Sequence, residues 1–191
     1  PEGATGANIA LLRSCDTVGV KVQYMANIWG MDEPGLKAAG KAADGIVWVA
    51  GQSAWGADVP GMKTFREISN MSDATGKVYR ALPYVRGACQ VLYMSAAMQM
   101  ADKAGNLNGP GIKAALESMK DFVPFNTQGM CPAVTWTDKD HRSVDTASLM
   151  RARVSGDTET GTYEELLAKG TIKLEKAADV KVERKPEWQG Y

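Results

Sequence analysis

The sequence has very little of the chemistry on which metal sites and active sites depend. Its 191 residues include one histidine, His141, and three cysteines, Cys15, Cys89 and Cys131. These residues show no Cys-x-x-Cys or Cys/His spacing typical of zinc sites. A nucleophile paired with a base, a G-x-S-x-G motif, a P-loop and a G-x-G-x-x-G motif are also lacking. We therefore predict that the chain is not an enzyme and uses neither a cofactor nor a metal.

An excess of charge of one sign is lacking as well. The 22 basic residues balance the 22 acidic ones, so the formal net charge is zero. Because nucleic acids and anionic membranes attract basic surfaces, this balance argues against both as partners. No apolar run approaches the roughly 20 residues that span a bilayer. In an oxidising compartment one disulfide can form among the three cysteines, and the sequence leaves the pair open.

The sequence does contain an α/β unit between Val18 and Gly51. Its predicted elements are a strand over 20–25, a loop over 26–31, a helix beginning at Asp32 and a strand over 46–50. Parallel strands need such a crossover, and ligands of open α/β sheets bind at the carboxyl ends of strands. We therefore expect function first in the loop that holds Asn27, Ile28 and Trp29.

The rest of the chain is predicted to be mainly helical, with strands near its end. Helices are predicted over 8–18, 64–69, from about Pro83 to Ala104, 112–119 and 163–169. Strands are predicted over 133–137, 148–154, 172–174 and 180–182. The stretches 51–61 and 122–132 are rich in glycine and proline, which indicates connections between elements.

Four stretches follow one another in the order and spacing of a known family. GVKVQYMANIWGMDEPGLKAAGKAADGIVWVAG has that family's strand, ligand loop, helix and strand. KVYRALPYVRGACQVLYMSAAMQMADKAG is similar to its Y-A-A-L-x-Y-D-A helix, GPGIKAALESM to the next helix, and VTWTDKDHR to its F-D-x-x-G/N-R hairpin. Up to about Val154 the chain resembles the periplasmic branched-chain amino-acid binding proteins, which are type I solute-binding proteins of ABC importers.

This resemblance implies an α/β fold of two parallel-sheet lobes with flanking helices, joined by three crossings, and only part of both lobes in this chain. Residues 1–51 are expected in the second lobe, 52–128 in the returning part of the first lobe, and 129–191 in the second-lobe hairpin, strands and C-terminal tail. The stretches 51–61 and 122–132 are the expected hinges. The N-terminal half and a signal peptide are expected outside this chain. The expected partners are a small ligand and an ABC permease, and the expected compartment is the periplasm.

The resemblance also indicates ligand-binding residues. In amino-acid-binding members, the loop after the first strand supplies a carboxylate for the ligand ammonium, and Ile28 stands there, between Asn27 and Trp29. Because an ammonium buried without a charged partner is costly, Ile28 disfavours an α-amino acid. Tyr79 matches the aromatic residue that contacts the ligand side chain, and Trp55 of the first expected hinge is a further candidate wall. The ligand carboxylate is expected to bind mainly to the other half.

The function that follows is the solute-binding component of an ABC importer for a small carboxylate with an apolar or aromatic body. A branched-chain or other hydrophobic amino acid is the alternative ligand. A ligand-sensing domain of a receptor or regulator is an alternative role, because type I binding folds serve both purposes. Core packing is the competing explanation for Ile28, Trp29 and Tyr79.

Overall fold

Ten helices and strands are present in the computed structural model, which describes residues 4–183, 185 and 187. They are α1 (Thr5–Thr17), β1 (Met25–Ala26), α2 (Glu33–Ala39), β2 (Val47–Val49), α3 (Met62–Asn70), α4 (Leu82–Lys103), α5 (Gly109–Glu117), β3 (Thr146–Val154), α6 (Tyr163–Ala168) and β4 (Ile172–Lys181). A short 3-10 helix, Gly40–Ala43, follows α2. The predicted α/β class is confirmed.

The chain divides into two units. Unit 1 contains Pro1–Gly51 and Ala147–Val180, and unit 2 contains Gln52–Thr146 and Lys181–Tyr191. Residues 129–146, which we expected with the second lobe, therefore lie in unit 2. Most of the segment 184–191, also expected with the second lobe, lies outside the described residues. The assignment of the units to lobes stays a prediction.

Unit 1 contains a four-stranded sheet in the order β1-β2-β3-β4. β1 pairs with β2 in parallel, with Met25 opposite Val47, and β2 pairs with β3 in antiparallel fashion. The helix α2 is the crossover between the parallel pair, as predicted. It begins where Asp32 Oδ1 accepts a hydrogen bond from the Gly35 amide at 2.7 Å, and it ends at Gly40, whose φ is +62°.

Unit 2 is mainly helical, and its helix α4 begins at Leu82, as the position of Pro83 predicts. Its core consists of apolar side chains from α3, α4, α5 and the segment that follows: Met62, Phe65, Val85, Cys89, Tyr93, Ala96, Ala97, Ala115, Met119, Met130, Cys131 and Val134. A disulfide joins Cys89 to Cys131, with their Cα atoms 5.5 Å apart, and Cys15 is a free thiol. No helix among the described residues combines the length and apolarity needed to cross a membrane.

The strand predicted over 20–25 is wrong in its extent, because only Met25–Ala26 pairs as a strand. The neighbouring strand β2 begins only at Val47, and Gly45, whose φ is +81°, turns the backbone just before it. The carbonyl of Gly45 accepts a hydrogen bond from the side chain of Gln23 at 2.9 Å. Residues 20–23 consequently have no strand to pair with on that side.

The strand predicted over 133–137 is also wrong. The Thr135 amide donates to the Ser143 carbonyl at 3.1 Å. The Trp136 amide donates instead to the Met119 carbonyl at 3.0 Å. Because successive amides bond to different segments, no continuous ladder forms, and only an isolated bridge at Val134 remains.

The two short strands predicted over 172–174 and 180–182 form one strand, Ile172–Lys181. A side-chain hydrogen bond connects this strand, β4, to the neighbouring strand β3. The Ser148 hydroxyl donates to Asp179 Oδ1 at 2.8 Å. The polar residues between the two predicted segments therefore continue the strand on an exposed face.

Candidate functional site

The loop after β1 is a tight turn that its own backbone and one side chain hold. The Gly30 amide donates to the Asn27 carbonyl at 3.1 Å. The Asn27 side-chain oxygen accepts a second hydrogen bond, from the Trp29 amide at 2.9 Å. An asparagine side chain that bonds to the backbone two residues ahead stabilises such a turn. Asn27 therefore shapes this loop.

The helix α1 fixes the same loop from outside. Asn8, which is only 2% exposed, donates its side-chain amide to the Gly30 carbonyl at 2.8 Å. The Thr5 hydroxyl donates to the Trp29 carbonyl at 3.2 Å. Gly30 is required here, because a Cβ atom at this position would lie 2.7 Å from the Ala26 Cβ. The loop is thus held in place before any ligand binds.

The side chains that this loop presents are mostly apolar. Trp29 is 59% exposed, unusually high for an indole, and Ile28 is half-buried. Ile28 lies against Gly51, where an added Cβ would be 3.0 Å from its Cδ1 atom. The two acids that follow the loop have other roles: Asp32 caps α2, and Glu33 is fully buried. The loop therefore offers an indole and an aliphatic surface without an exposed carboxylate.

The other predicted site residues, Trp55 and Tyr79, belong to unit 2, and both are half-buried. Trp55 packs edge-to-face on Tyr84, with ring centroids 6.3 Å apart and planes at 87°. Tyr79 lies two residues before Ala81, the N-cap of α4. The structure therefore brings Asn27, Ile28 and Trp29 together on one loop, while these two aromatic residues stand on the other unit.

The two stretches expected to be hinges run side by side within unit 2. The Ser53 hydroxyl donates to the Gly129 carbonyl at 2.7 Å. The Gly61 amide donates to the Gln128 carbonyl at 2.8 Å. A Cβ at Gly61 would lie 2.5 Å from the backbone of Thr127, so only glycine permits this approach. These contacts hold the segment that contains Trp55.

Two arginines that the sequence analysis missed lie on the aromatic rings of unit 2. The guanidinium carbon of Arg66 is 5.9 Å from the centroid of the Trp55 ring. That of Arg80 is 4.8 Å from the centroid of the Tyr84 ring. Tyr84 is the second tyrosine of the helix motif quoted above, so the sequence held a signal for it. Arg80 stands in that same motif at a position where the family pattern has alanine, and Arg66 belongs to none of the quoted stretches.

The described residues contain no group of three or more histidine, cysteine, aspartate or glutamate side chains placed to hold a metal ion. The donors and acceptors on the loop after β1 are mostly backbone groups used within the turn. In unit 1 the loop after β1 presents an aromatic and aliphatic surface, which is suited to non-covalent contact. Unit 2, taken by itself, presents aromatic rings with two arginines stacked on them.

Residues 3–159 match the model of a family described as periplasmic binding protein. The chain belongs to this family. Membership in a family of binding proteins agrees with a candidate site that consists of side-chain surfaces which a ligand can contact. No curated protein matches the sequence.

Solved structures of periplasmic binding proteins share the fold of this chain. A substrate-binding protein of an ABC transporter from Aeropyrum pernix is 17% identical with a TM-score of 0.68, covering 97% of this chain and 44% of its own. A fatty acid ABC transporter substrate-binding protein from Thermomonospora curvata is 14% identical with a TM-score of 0.68. The match covers 100% of this chain and 44% of that protein. A branched-chain amino acid ABC transporter protein from Thermus thermophilus, with bound valine, is 15% identical with a TM-score of 0.66, covering 82% and 42%.

The predicted type I periplasmic-binding-protein fold is therefore confirmed. The chain spans less than half the length of each of these three relatives. Only part of that two-lobe fold is thus present in this chain, as we predicted.

Proposed function

We propose that this chain is part of a two-lobe solute-binding protein that captures a small carboxylic acid with an apolar or aromatic body. The observation that carries the proposal is Trp29, an exposed indole on a loop that Asn8 and Asn27 hold in place. An exposed aromatic side chain on a preorganised loop at the carboxyl end of a strand is suited to ligand contact. Ile28 extends the same apolar surface.

The absence of an acidic side chain on residues 27–31 supports a ligand without an ammonium group. An ammonium removed from water needs a carboxylate partner, and the nearest acid, Asp32, caps α2. A carboxylic acid with only an apolar body does not have this requirement. The fatty acid transporter protein from Thermomonospora curvata, which has the same fold, is named for a ligand of that class.

A branched-chain or other hydrophobic amino acid is the second candidate ligand. The Thermus thermophilus relative holds valine, and a related protein from Streptococcus pneumoniae is described in complex with isoleucine. Such a ligand has the same apolar body, and its ammonium would be held by groups outside the 27–31 loop. The two candidates differ in one chemical group, so a binding experiment separates them.

The proposal includes delivery of the ligand to the permease of an ABC importer. Unit 1 is assigned to the second lobe and unit 2 to the first, with ligand binding closing the lobes about the hinges. The remaining N-terminal half of the protein completes both lobes. The compartment proposed is the periplasm, where the Cys89–Cys131 disulfide persists because that compartment is oxidising.

A thermal-shift screen of the two-lobe protein that contains this chain tests the proposal. The panel pairs phenylacetate and 4-methylvalerate with phenylalanine and leucine, which carry the same bodies plus an ammonium. A ligand at 100 times its Kd stabilises the folded state by about 2.7 kcal/mol, which raises the melting temperature. We expect stabilisation by the simple acids. Stabilisation by leucine alone would favour the amino-acid alternative, and no response to any compound would contradict the proposal.

A further inference from the structure

In the part of the chain that the structure describes, the sheet of unit 1 has two edges of opposite character. The edge strand β4 carries charged side chains along its length: Lys173, Glu175, Lys176, Asp179 and Lys181. The other edge is β1, and the stretch 18–26 that contains it has a single charge, Lys21, among exposed apolar side chains: Val18, Val20, Val22 and Met25. Charged side chains protect a free sheet edge, whereas an apolar edge without them is suited to pairing with another strand.

The backbone of β1 directs hydrogen-bonding groups towards this apolar edge. The Tyr24 carbonyl accepts a hydrogen bond from the Val47 amide at 3.0 Å, and Met25 stands opposite Val47 in the parallel ladder. Successive residues of a strand direct their N–H and C=O groups to opposite sides. The N–H and C=O groups of Met25 therefore point away from β2, and its side chain is 56% exposed.

The helices α1 and α2 lie side by side and run in the same direction. Near the start of both helices, Gly35 lies against Thr5, so closely that an added Cβ would overlap the Thr5 methyl group. Further along, the Arg13 side chain donates to the Ala38 carbonyl. Because α2 is the crossover from β1 to β2, it lies on one face of the sheet, and α1 beside it lies on the same face.

The helix α1 also has the direction of a crossover helix that leads into β1. Its first residue, Thr5, donates its hydroxyl to the Trp29 carbonyl at 3.2 Å, so α1 begins beside the loop that follows β1. The chain then returns along α1 to the start of β1. A strand from which the chain enters α1 consequently ends at the same end of the sheet as β1, which makes the two strands parallel.

The handedness of crossovers gives the position of that strand. Parallel crossovers are nearly always right-handed, and strands that follow one another in sequence are usually neighbours. Two right-handed crossovers with helices on the same face advance across the sheet in the same direction. Since α2 leads from β1 to β2, a strand that leads through α1 to β1 lies on the opposite side of β1, along its apolar edge.

We infer that the segment of the two-lobe protein that precedes α1 forms a strand, and that this strand pairs in parallel with β1 along its apolar edge. The inference rests on the proposed function, in which a remaining N-terminal half completes both lobes. This chain spans less than half the length of its three relatives, which leaves further chain to supply the strand. The inference adds which edge of unit 1 that half completes, and in which direction.

Amide hydrogen exchange and amide–amide NOE contacts in the two-lobe protein test the pairing. We expect the Met25 amide to exchange roughly 100-fold or more slowly than in an unfolded chain, because it donates to the added strand. NOE contacts from this amide are expected to reach the segment before α1, in the order of a parallel pair. The Val47 amide is the internal control, since it donates to Tyr24 whether or not the added strand is present.

A pair of matched substitutions tests the same edge by stability. Val22→Lys is expected to lower the melting temperature of the two-lobe protein, because the added strand packs beside Val22. Val180→Lys is the control, since Val180 is an exposed valine of the opposite edge strand, β4. Equal changes in the two variants would contradict the pairing. If Val22→Lys does not fold, the exchange of the wild-type Met25 amide decides.

Each result of the exchange experiment decides the inference. A protected Met25 amide with NOE contacts to the segment before α1 supports it. A Met25 amide that exchanges freely while Val47 is protected overturns it, and so do NOE contacts to any other segment. Protection that is lost on dilution to monomer indicates pairing with a second copy and also overturns it. These failures leave the proposed function standing, because the thermal-shift screen reads ligand binding separately.

Discussion

The loop after β1 in unit 1 and the aromatic residues Trp55 and Tyr84 in unit 2, which carry Arg66 and Arg80, differ in their chemistry. The loop is held by neutral hydrogen bonds from Asn8 and Asn27 and offers an indole and an aliphatic side chain. The two rings of unit 2 carry one guanidinium each. On the proposed function, the loop of unit 1 contacts the apolar body of the ligand.

The two units also differ in how they are stabilised. Unit 2 has a helical core that a disulfide crosslinks. Unit 1 has a sheet whose first strand contains two residues, and four large apolar side chains before or within that strand are exposed: Val18, Val20, Val22 and Met25. An exposed apolar sheet edge is a site for pairing with further chain. We therefore expect unit 1 to depend on the remaining N-terminal half more than unit 2 does.

Removing the disulfide is expected to give the largest effect on this difference in stability between the two units. Replacing both cysteines, in Cys89→Ser with Cys131→Ser, is expected to lower the free energy of unfolding of unit 2 by about 2–4 kcal/mol, because the unfolded chain loses a crosslink. Hydrogen exchange in the two-lobe protein gives the measurement, with faster exchange in α4 and unchanged exchange in β2. Cys15→Ser is the control, since that thiol is free. Equal acceleration in both units would show that they unfold as one.

Truncation of the aromatic walls tests the binding surfaces of the two units separately. Trp29→Ala and Tyr79→Ala are each expected to weaken ligand binding by about 1–3 kcal/mol, because each removes aromatic surface that a ligand buries. The measurement is the Kd for the best ligand of the thermal-shift screen, by calorimetry. Leu11→Ala is the control, since it shortens an exposed apolar side chain of α1. Unchanged affinity in both Trp29→Ala and Tyr79→Ala would show that neither residue belongs to the binding site.

A charge placed on the loop sharpens the division between the two surfaces. Ile28→Glu puts a carboxylate at the position to which the resemblance assigns the ammonium-binding carboxylate, so it is expected to shift preference from phenylacetate towards phenylalanine by about tenfold. The ratio of the two Kd values gives the measurement. Ile28→Gln, which has similar size without the charge, is the control. An unchanged ratio would contradict the assignment of Ile28 to the ligand ammonium position.

The sequence predicted the crossover unit and the position of the loop after β1 because both depend on local signals. Asp32 is a helix cap and Gly40 a helix end, and such residues act within a few positions of themselves. The strand over 133–137 was predicted wrongly because its pairing depends on which distant carbonyls lie nearby, and here they belong to separate segments. Apolar alternation cannot distinguish an isolated bridge from a ladder.

The candidate site shows the same difference between residues that the sequence order identifies and residues that only the fold identifies. Ile28 and Trp29 were predicted as candidates from their place after a strand, which is a property of the sequence order, and their role in binding stays a prediction. Arg66 was missed because only the fold brings it to the Trp55 ring, and Arg80 was missed although Tyr84 lies only four residues after it. Arginine is common on protein surfaces, so without that geometry neither position differs from a solvated charge. The disulfide pair likewise needed the fold, since three cysteines permit three pairings.

We expect the smallest effect from a change in the turn before α4, which carries Tyr79 and Arg80. The Thr75 hydroxyl and the Val78 amide donate to Asp73 and hold the pKa of that carboxyl below its usual value. A depressed pKa means that this carboxylate stabilises the folded turn above its unfolded pKa of about 3.9, and that the stabilisation is lost as pH falls through the lower folded value. NMR titration of the Asp73 carboxyl checks the shift.

Asp73→Asn is expected to increase hydrogen exchange of the Val78 amide at neutral pH and to weaken ligand binding slightly, whereas the exposed control Asp58→Asn changes neither. An Asp73 titration midpoint at or above about 3.9 would mean that the carboxylate does not hold this turn.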